Sequence, residues 1–160
     1  MLVLRSRHHW RGIFSTAFST SADVLASPSN RPIVFNSLTG TRDALPEPPP
    51  DQRHLGWYAC GPTVYDDAHL GHARTYICFD AIRRVLEDHF GIPLLYTIGV
   101  TDIDDKILRR AMEDGISPRE VAQLYEKRFF EDMAALGVRE PMTRLRVSDH
   151  MDHIDHFHVW

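Results

Sequence analysis

Residues 56–100 contain the pattern that most limits this chain's fold: an apolar strand, a long periodic helix, and a second apolar strand. Gly56-Trp57-Tyr58-Ala59-Cys60 has the aromatic and small apolar composition of a strand, and Gly61-Pro62 is expected to stop it. The spacing then predicts a helix over 69–90. Leu70, Ala73, Ile77, Ala81, Val85 and Phe90 recur at three- to five-residue steps, and Ile82 and Leu86 widen the stripe. Gly91 is placed to cap its end and Pro93 prevents continuation. Leu94–Val100 reads as a buried strand. Two strands joined by one crossover helix pair in parallel with right-handed connection, so the chain is expected to be α/β.

Downstream, a short helix is expected near Asp104–Asp114, ended by Gly115. Ser117-Pro118-Arg119-Glu120 is a capping box with proline at the first helical position, opening a helix to about Leu136 that Gly137 ends. Ser148-Asp149 is expected to begin one more helix. Upstream, residues 23–54 read as an extended lead-in held open by Pro46 and Pro48-Pro49-Pro50, with one short strand at Ile33-Val34-Phe35. The 160 residues, 43% hydrophobic, allow one modest core, and no apolar run approaches the roughly 20 residues that cross a bilayer, so no membrane partner is expected. No internal repeat is visible.

Residues 1–22 differ from the rest. They hold Arg5, Arg7 and Arg11, several serines and threonines, interleaved apolar residues and no acid before Asp23. That is the composition of a mitochondrial transit peptide, with a disordered tail as the plainer alternative. Without this segment 15 basic residues face 22 acidic ones, a balance that repels a nucleic-acid backbone except at a local patch. Two cysteines, Cys60 and Cys78, do not make a disulfide framework. Cys78, inside the predicted helix, reads as a core residue.

In open parallel α/β sheets ligands bind beyond the carboxyl ends of the strands. Two polar segments stand at those ends here, Cys60–His72 and Thr101–Lys106. His69 and His72 lie three residues apart in the first helical turn, so their imidazoles project from one face. A helix N-terminus adds unpaired N–H groups and partial positive charge, a seat for phosphate, and Gly71 leaves room for a flat base to approach. Two surface histidines, or part of a metal site, are the alternatives that the spacing alone leaves open. Asp102, Asp104 and Asp105 suggest magnesium. For Asp104 and Asp105, capping the next helix is the simpler role.

His69-Leu70-Gly71-His72 resembles the His-Ile-Gly-His signature of class I aminoacyl-tRNA synthetases. The longer string Tyr58–Thr75 is similar to the cysteinyl-tRNA synthetase version, and Thr101–Ala111 matches a second block of that family; the resemblance runs from about Ile33 to about Ile154. It implies the first half of a Rossmann-like doubly wound parallel sheet over 55–160, and an enzyme that couples cysteine to ATP and passes it to tRNA(Cys). His69 and His72 are then the catalytic donors. Thr63, Tyr65, His69, Gly71 and His72 are the ATP contacts, with Mg2+ accompanying the nucleotide. Gly61 and Thr101 are the contacts of the substrate L-cysteine, and Cys60 is a zinc ligand. With the leader, the implied location is the mitochondrial matrix.

The family's remaining zinc ligands, its Lys-Met-Ser-Lys-Ser loop, the second half of the sheet and an anticodon-binding domain have no counterpart before Trp160. The chain is therefore expected to be a truncated domain, inactive alone. His150, His153, His156 and His158 are not expected to replace the missing ligands. Two rival readings remain: a related cysteine ligase acting on an amino sugar, and a non-catalytic truncated isoform that works as a binding module.

Overall fold

The structure, a computed structural model, describes residues 31–48 and 50–157, in two compact units divided after Ala44. The expected transit peptide lies outside the described residues, as do the first part of the lead-in and His158.

The first unit contains a hairpin. Strand β1 (Ile33–Asn36) pairs antiparallel with β2 (Thr41–Ala44), in the register Ile33↔Ala44 to Asn36↔Thr41. The turn closes because Asn36 acts at both ends: its carbonyl accepts from Gly40 N at 2.9 Å, and its amide donates to Asp43 at 2.9 Å. Gly40 takes the left-handed conformation the turn requires, with φ 71°. The sequence reading placed only β1. Thr41-Arg42-Asp43-Ala44 has no apolar alternation, and hydroxyl and carboxylate pairs organise it instead.

The second unit is built on a three-stranded, all-parallel sheet in the order β3 (Leu55–Thr63), β4 (Leu94–Thr101), β5 (Thr143–Arg146). Helix α1 (Leu70–Arg84) carries the chain from β3 to β4; α2 (Asp105–Asp114) and α3 (Pro118–Ala135) carry it from β4 to β5. A 3-10 turn at Ser148–His150 leads into α4 (Met151–Phe157). Helices α1, α2 and α3 meet one face of the sheet. There Ala59, Tyr96, Ile98 and Val100 form a single core with Tyr76 of α1, Ile107 and Ala111 of α2, and Val121, Tyr125, Phe129 and Met133 of α3. Each fully buried side chain of this kind contributes about 1.5–3 kcal/mol. Period-two alternation puts Tyr58, Cys60 and Leu95 on the opposite face, which stays open among the described residues.

Four expectations need correcting. Gly61-Pro62 does not stop β3. The strand runs on to Thr63 through a bulge, its register stepping from Cys60↔Gly99 to Thr63↔Thr101. Pro62 has no N–H for the ladder, and Gly61 is required because a Cβ there would meet the Gly99 carbonyl and lie 2.6 Å from Ile98 Cγ2.

The predicted helix over 69–90 is α-helical only to Arg84; a π-helical turn, Val85–His89, finishes it. Its apolar stripe is also not its packed face. Leu70, Ile77, Ile82 and Val85 are exposed, whereas Tyr76, Asp80 and Arg83 are buried. The buried charges are tolerated because each finds a partner. Arg83 Nε donates to both Glu87 oxygens at 3.1–3.2 Å, and its Nη1 donates to the Glu140 carbonyl at 2.7 Å. Asp80 accepts from Arg84 Nε at 2.6 Å and from Arg139 N at 3.0 Å. A polar latch thus ties α1 to the connection between α3 and β5.

By the same rotation of α1, Cys78 is exposed and not part of the core. Strand β5, finally, escaped the sequence reading because two of its four residues are arginines. Arg146 forms a two-pronged pair with Glu126 at 2.7 and 2.8 Å, and the Arg144 guanidinium lies 3.6 Å from the Phe130 ring centre.

Candidate active site

The carboxyl ends of β3 and β4 carry most of the residues that the sequence singled out. Thr63 and Thr101 are register partners, and Cys60 pairs with Gly99 just behind them. Beyond Thr63 the chain dips: Val64 is fully buried and its N–H donates to Thr101 O at 3.1 Å. Tyr65 packs against the core, with the Lys106 ammonium 5.1 Å from its ring centre. The loop then reaches α1, and Asp67 pairs with Arg128 of α3 at 3.1 Å.

The helix begins with an unusual cap made entirely of imidazoles. His69 is the N-cap, in extended conformation, and its Nδ1 accepts from Gly71 N at 3.0 Å and His72 N at 3.4 Å. His72 reciprocates, its Nδ1 accepting from His69 N at 3.3 Å. This is a capping box in which both Ser/Thr and Glu are replaced by histidine. The rings stack with centroids 3.9 Å apart and planes 18° apart.

Three consequences follow for the chemistry. An Nδ1 that accepts a hydrogen bond carries no proton, so each neutral ring bears its hydrogen on Nε2 as a donor. The N–H groups of Gly71 and His72, expected to be free for a ligand, are already taken by His69. The room at Gly71 is likewise used: a Cβ there would come within 2.8 Å of His69 Cε1, so this glycine makes space for the cap itself.

His72 rests edge-on against Phe129, 5.8 Å between ring centres. Burial holds its pKa below the ordinary 6.5, and His69 beside it lowers it further. Because the folded value lies below the unfolded one, the unfolded chain binds the proton first as pH falls. The His72 contribution is therefore complete above about pH 6.5 and is lost on acidification below it, at no more than about 1.4 kcal/mol per pH unit. Urea midpoints measured from pH 7.5 down to 5.5 are expected to fall in that window, and to fall less steeply for His72→Asn. Equal slopes for both proteins would remove His72 as the cause.

One turn after His72, the Tyr76 hydroxyl donates to the Cys60 carbonyl at 2.9 Å. Its burial raises the phenol pKa, so it remains a donor throughout the neutral range. Helix α1 thus carries the imidazole pair at one end and fixes the backbone of Cys60 from its next turn. Neither Tyr76 nor Phe129 was singled out by sequence. The i, i+4 spacing of His72 and Tyr76 was the available signal.

Of the three aspartates only Asp104 is a helix N-cap, and Asp105, expected to share that role, is the first residue of α2. Asp104 is the N-cap of α2, accepting from Lys106 N at 2.8 Å. Asp102 accepts from Ser148 N at 2.9 Å and from the Ser148 hydroxyl, fixing the start of the segment that leads into α4. Cys60 is exposed, and among the described residues no three His, Cys, Asp or Glu side chains gather as a metal site. These residues by themselves therefore do not fit a complete zinc or magnesium site. His150 and His153 lie with ring centres 5.9 Å apart.

Comparison with known proteins decides what this strand-end arrangement belongs to. Residues 47–158 match the model of the tRNA synthetases class I (C) catalytic domain. The chain belongs to that family. Three relatives of this synthetase family illustrate the similarity. A cytoplasmic cysteine–tRNA ligase of Dictyostelium discoideum is 46% identical over 76% of this chain and 19% of its own length. A probable mitochondrial cysteine–tRNA ligase of Xenopus tropicalis is 49% identical over 78% of this chain and 21% of its own. A cysteine–tRNA ligase of Pyrococcus furiosus is 49% identical over 78% and 25%. The chain thus spans about a fifth to a quarter of the length of the curated relatives it matches. No helix among the described residues is long and apolar enough to cross a membrane.

Proposed function

We propose that this chain contributes the ATP-binding part of a cysteine–tRNA ligase. The observation that carries the reading is the imidazole capping box at α1, beside strand ends bearing Cys60, Gly61, Thr63 and Thr101. The reaction it serves is attack of the cysteine carboxylate on the α-phosphorus of ATP, forming a P–O bond as the bond to pyrophosphate breaks. The cysteinyl group then moves from the adenylate to the 3′ end of tRNA(Cys), releasing AMP. The first step needs no covalent enzyme intermediate, so catalysis is orientation plus stabilisation of phosphate charge.

Each residue has a part in this proposal. The Nε2–H groups of His69 and His72 donate to the phosphates of ATP, which enters with Mg2+. Thr63 and Tyr65 line the nucleotide pocket, while Gly71 acts through the cap. Gly61 and Thr101 border the cysteine. Cys60 is offered as one zinc ligand, its companions lying outside the described residues. The acid-free, arginine-bearing segment 1–22 and the relatives called mitochondrial support the mitochondrial matrix as the location.

The test is ATP–pyrophosphate exchange by the purified full-length protein. Label exchange is expected with cysteine and to be at least about 100-fold weaker with serine, because a thiol and a hydroxyl differ more in chemistry than in size. Equal exchange with both, or none with cysteine, overturns the reading.

A further inference from the structure

We propose that Tyr58 contacts the cysteine substrate through its phenol hydroxyl and helps select it; this rests on the cysteine-activation reading above. Tyr58 lies two residues before Cys60 on β3, so both side chains stand on the open face of the sheet, away from the core. On that face the Tyr58 ring is 62% exposed, beside the exposed Cys60.

The ring does not wave freely: it lies across the neighbouring strand onto Gly99. A Cβ added at Gly99 would run into the Tyr58 hydroxyl, and would come within 2.7 Å of Cζ and 3.0 Å of Cε2. The absence of a side chain at Gly99 is what allows the phenol to settle there.

That placement defines the hydroxyl's surroundings. Gly99 is the register partner of Cys60, and Thr101 follows it on the same face of β4. The phenol oxygen therefore sits about one strand spacing, roughly 5 Å, from the Cys60 strand. It lies against Gly99, level with Cys60 and two residues before Thr101. Among the described residues it makes no hydrogen bond. A donor held over a glycine, without a partner, beside the positions proposed to border a small amino acid, suits the polar side-chain end of that amino acid. Hydroxyl-to-sulfur recognition also rejects apolar analogues, whose binding would leave the phenol unpaired.

The deciding experiment compares Tyr58→Phe with wild type in the full-length protein, by ATP–pyrophosphate exchange with cysteine and ATP varied in turn. Loss of the oxygen alone is expected to raise KM for cysteine about tenfold, with KM for ATP and the melting temperature unchanged. It is also expected to narrow discrimination against 2-aminobutyrate, which has a methyl in place of the thiol. Gly99→Ala, which keeps the phenol but displaces it, is expected to give the same cysteine-specific defect. A cysteine KM unchanged in Tyr58→Phe overturns the proposal, as does a loss confined to thermal stability. No exchange by wild type sinks the activation reading itself, a result distinct from normal wild-type kinetics with an indifferent Tyr58→Phe.

Discussion

Replacing both His69 and His72 with asparagine is expected to cut cysteine-dependent ATP–pyrophosphate exchange by at least about 100- to 1000-fold, the range for loss of one preorganised donor to a developing charge. The two losses should not multiply fully, because the groups act on one phosphate chain. Asparagine is chosen for its reach. Its side-chain oxygen falls near the position of Nδ1, so the reciprocal cap to Gly71, His72 and His69 N–H groups is kept while the outward Nε2–H is lost. Glutamine does the reverse, placing an N–H near Nε2 and giving up the cap. The single glutamine variants should therefore retain most exchange but lose about 1 kcal/mol of stability. If the asparagine double variant turns over within tenfold of wild type, the imidazoles are structural caps and nothing more.

That experiment separates two roles which the sequence shows as one. The spacing of His69 and His72 made a shared face legible, as did their position after an apolar strand. The stacked capping box was not legible, because histidine is a poor statistical N-cap and only the ring geometry reveals Nδ1 as the acceptor. Similar limits explain the rest of the fold. Strand β4, the cap at Asp104 and the Ser117–Glu120 box follow local rules and are found where residue types place them. The packed face of α1 follows no local rule. Asp80 and Arg83 have local partners in Arg84 and Glu87, but the Arg139 N–H and the Glu140 carbonyl, far along the chain, complete their hydrogen bonding. Strand β5 was hidden for the same reason: Arg146 pairs with Glu126 and Arg144 lies over the Phe130 ring, both on a helix that precedes the strand.

The second large effect is expected in the latch. Glu87→Ala should destabilise the fold by about 3 kcal/mol, read as a lower urea midpoint at unchanged slope, because it leaves the buried Arg83 guanidinium without its carboxylate. The Arg83 side chain is 10% exposed and that of Glu87 20%, so water replaces the lost partner poorly. Arg139, the other cation on Glu87, keeps Asp88 at 2.5 Å, and its loss adds little. The informative comparison is the double variant Arg83→Met with Glu87→Leu. Removing both charges together should recover most of the loss, since apolar replacement of a buried pair is often neutral. A double variant as unstable as Glu87→Ala would place the energy in the Arg83 bond to the Glu140 carbonyl instead.

The latch also sets a timetable for biosynthesis. Asp80 and Arg83 meet Arg139 and Glu140 across 57–59 residues of chain. At a translation rate of about 5–20 residues per second, on the order of 3–12 s separate the making of α1 from the making of its anchors. For that interval the side of the nascent helix that carries Tyr76, Asp80 and Arg83 stands in water without the residues that later cover it. Codons that slow the stretch before residue 139 would lengthen that exposure without altering a single amino acid of the product.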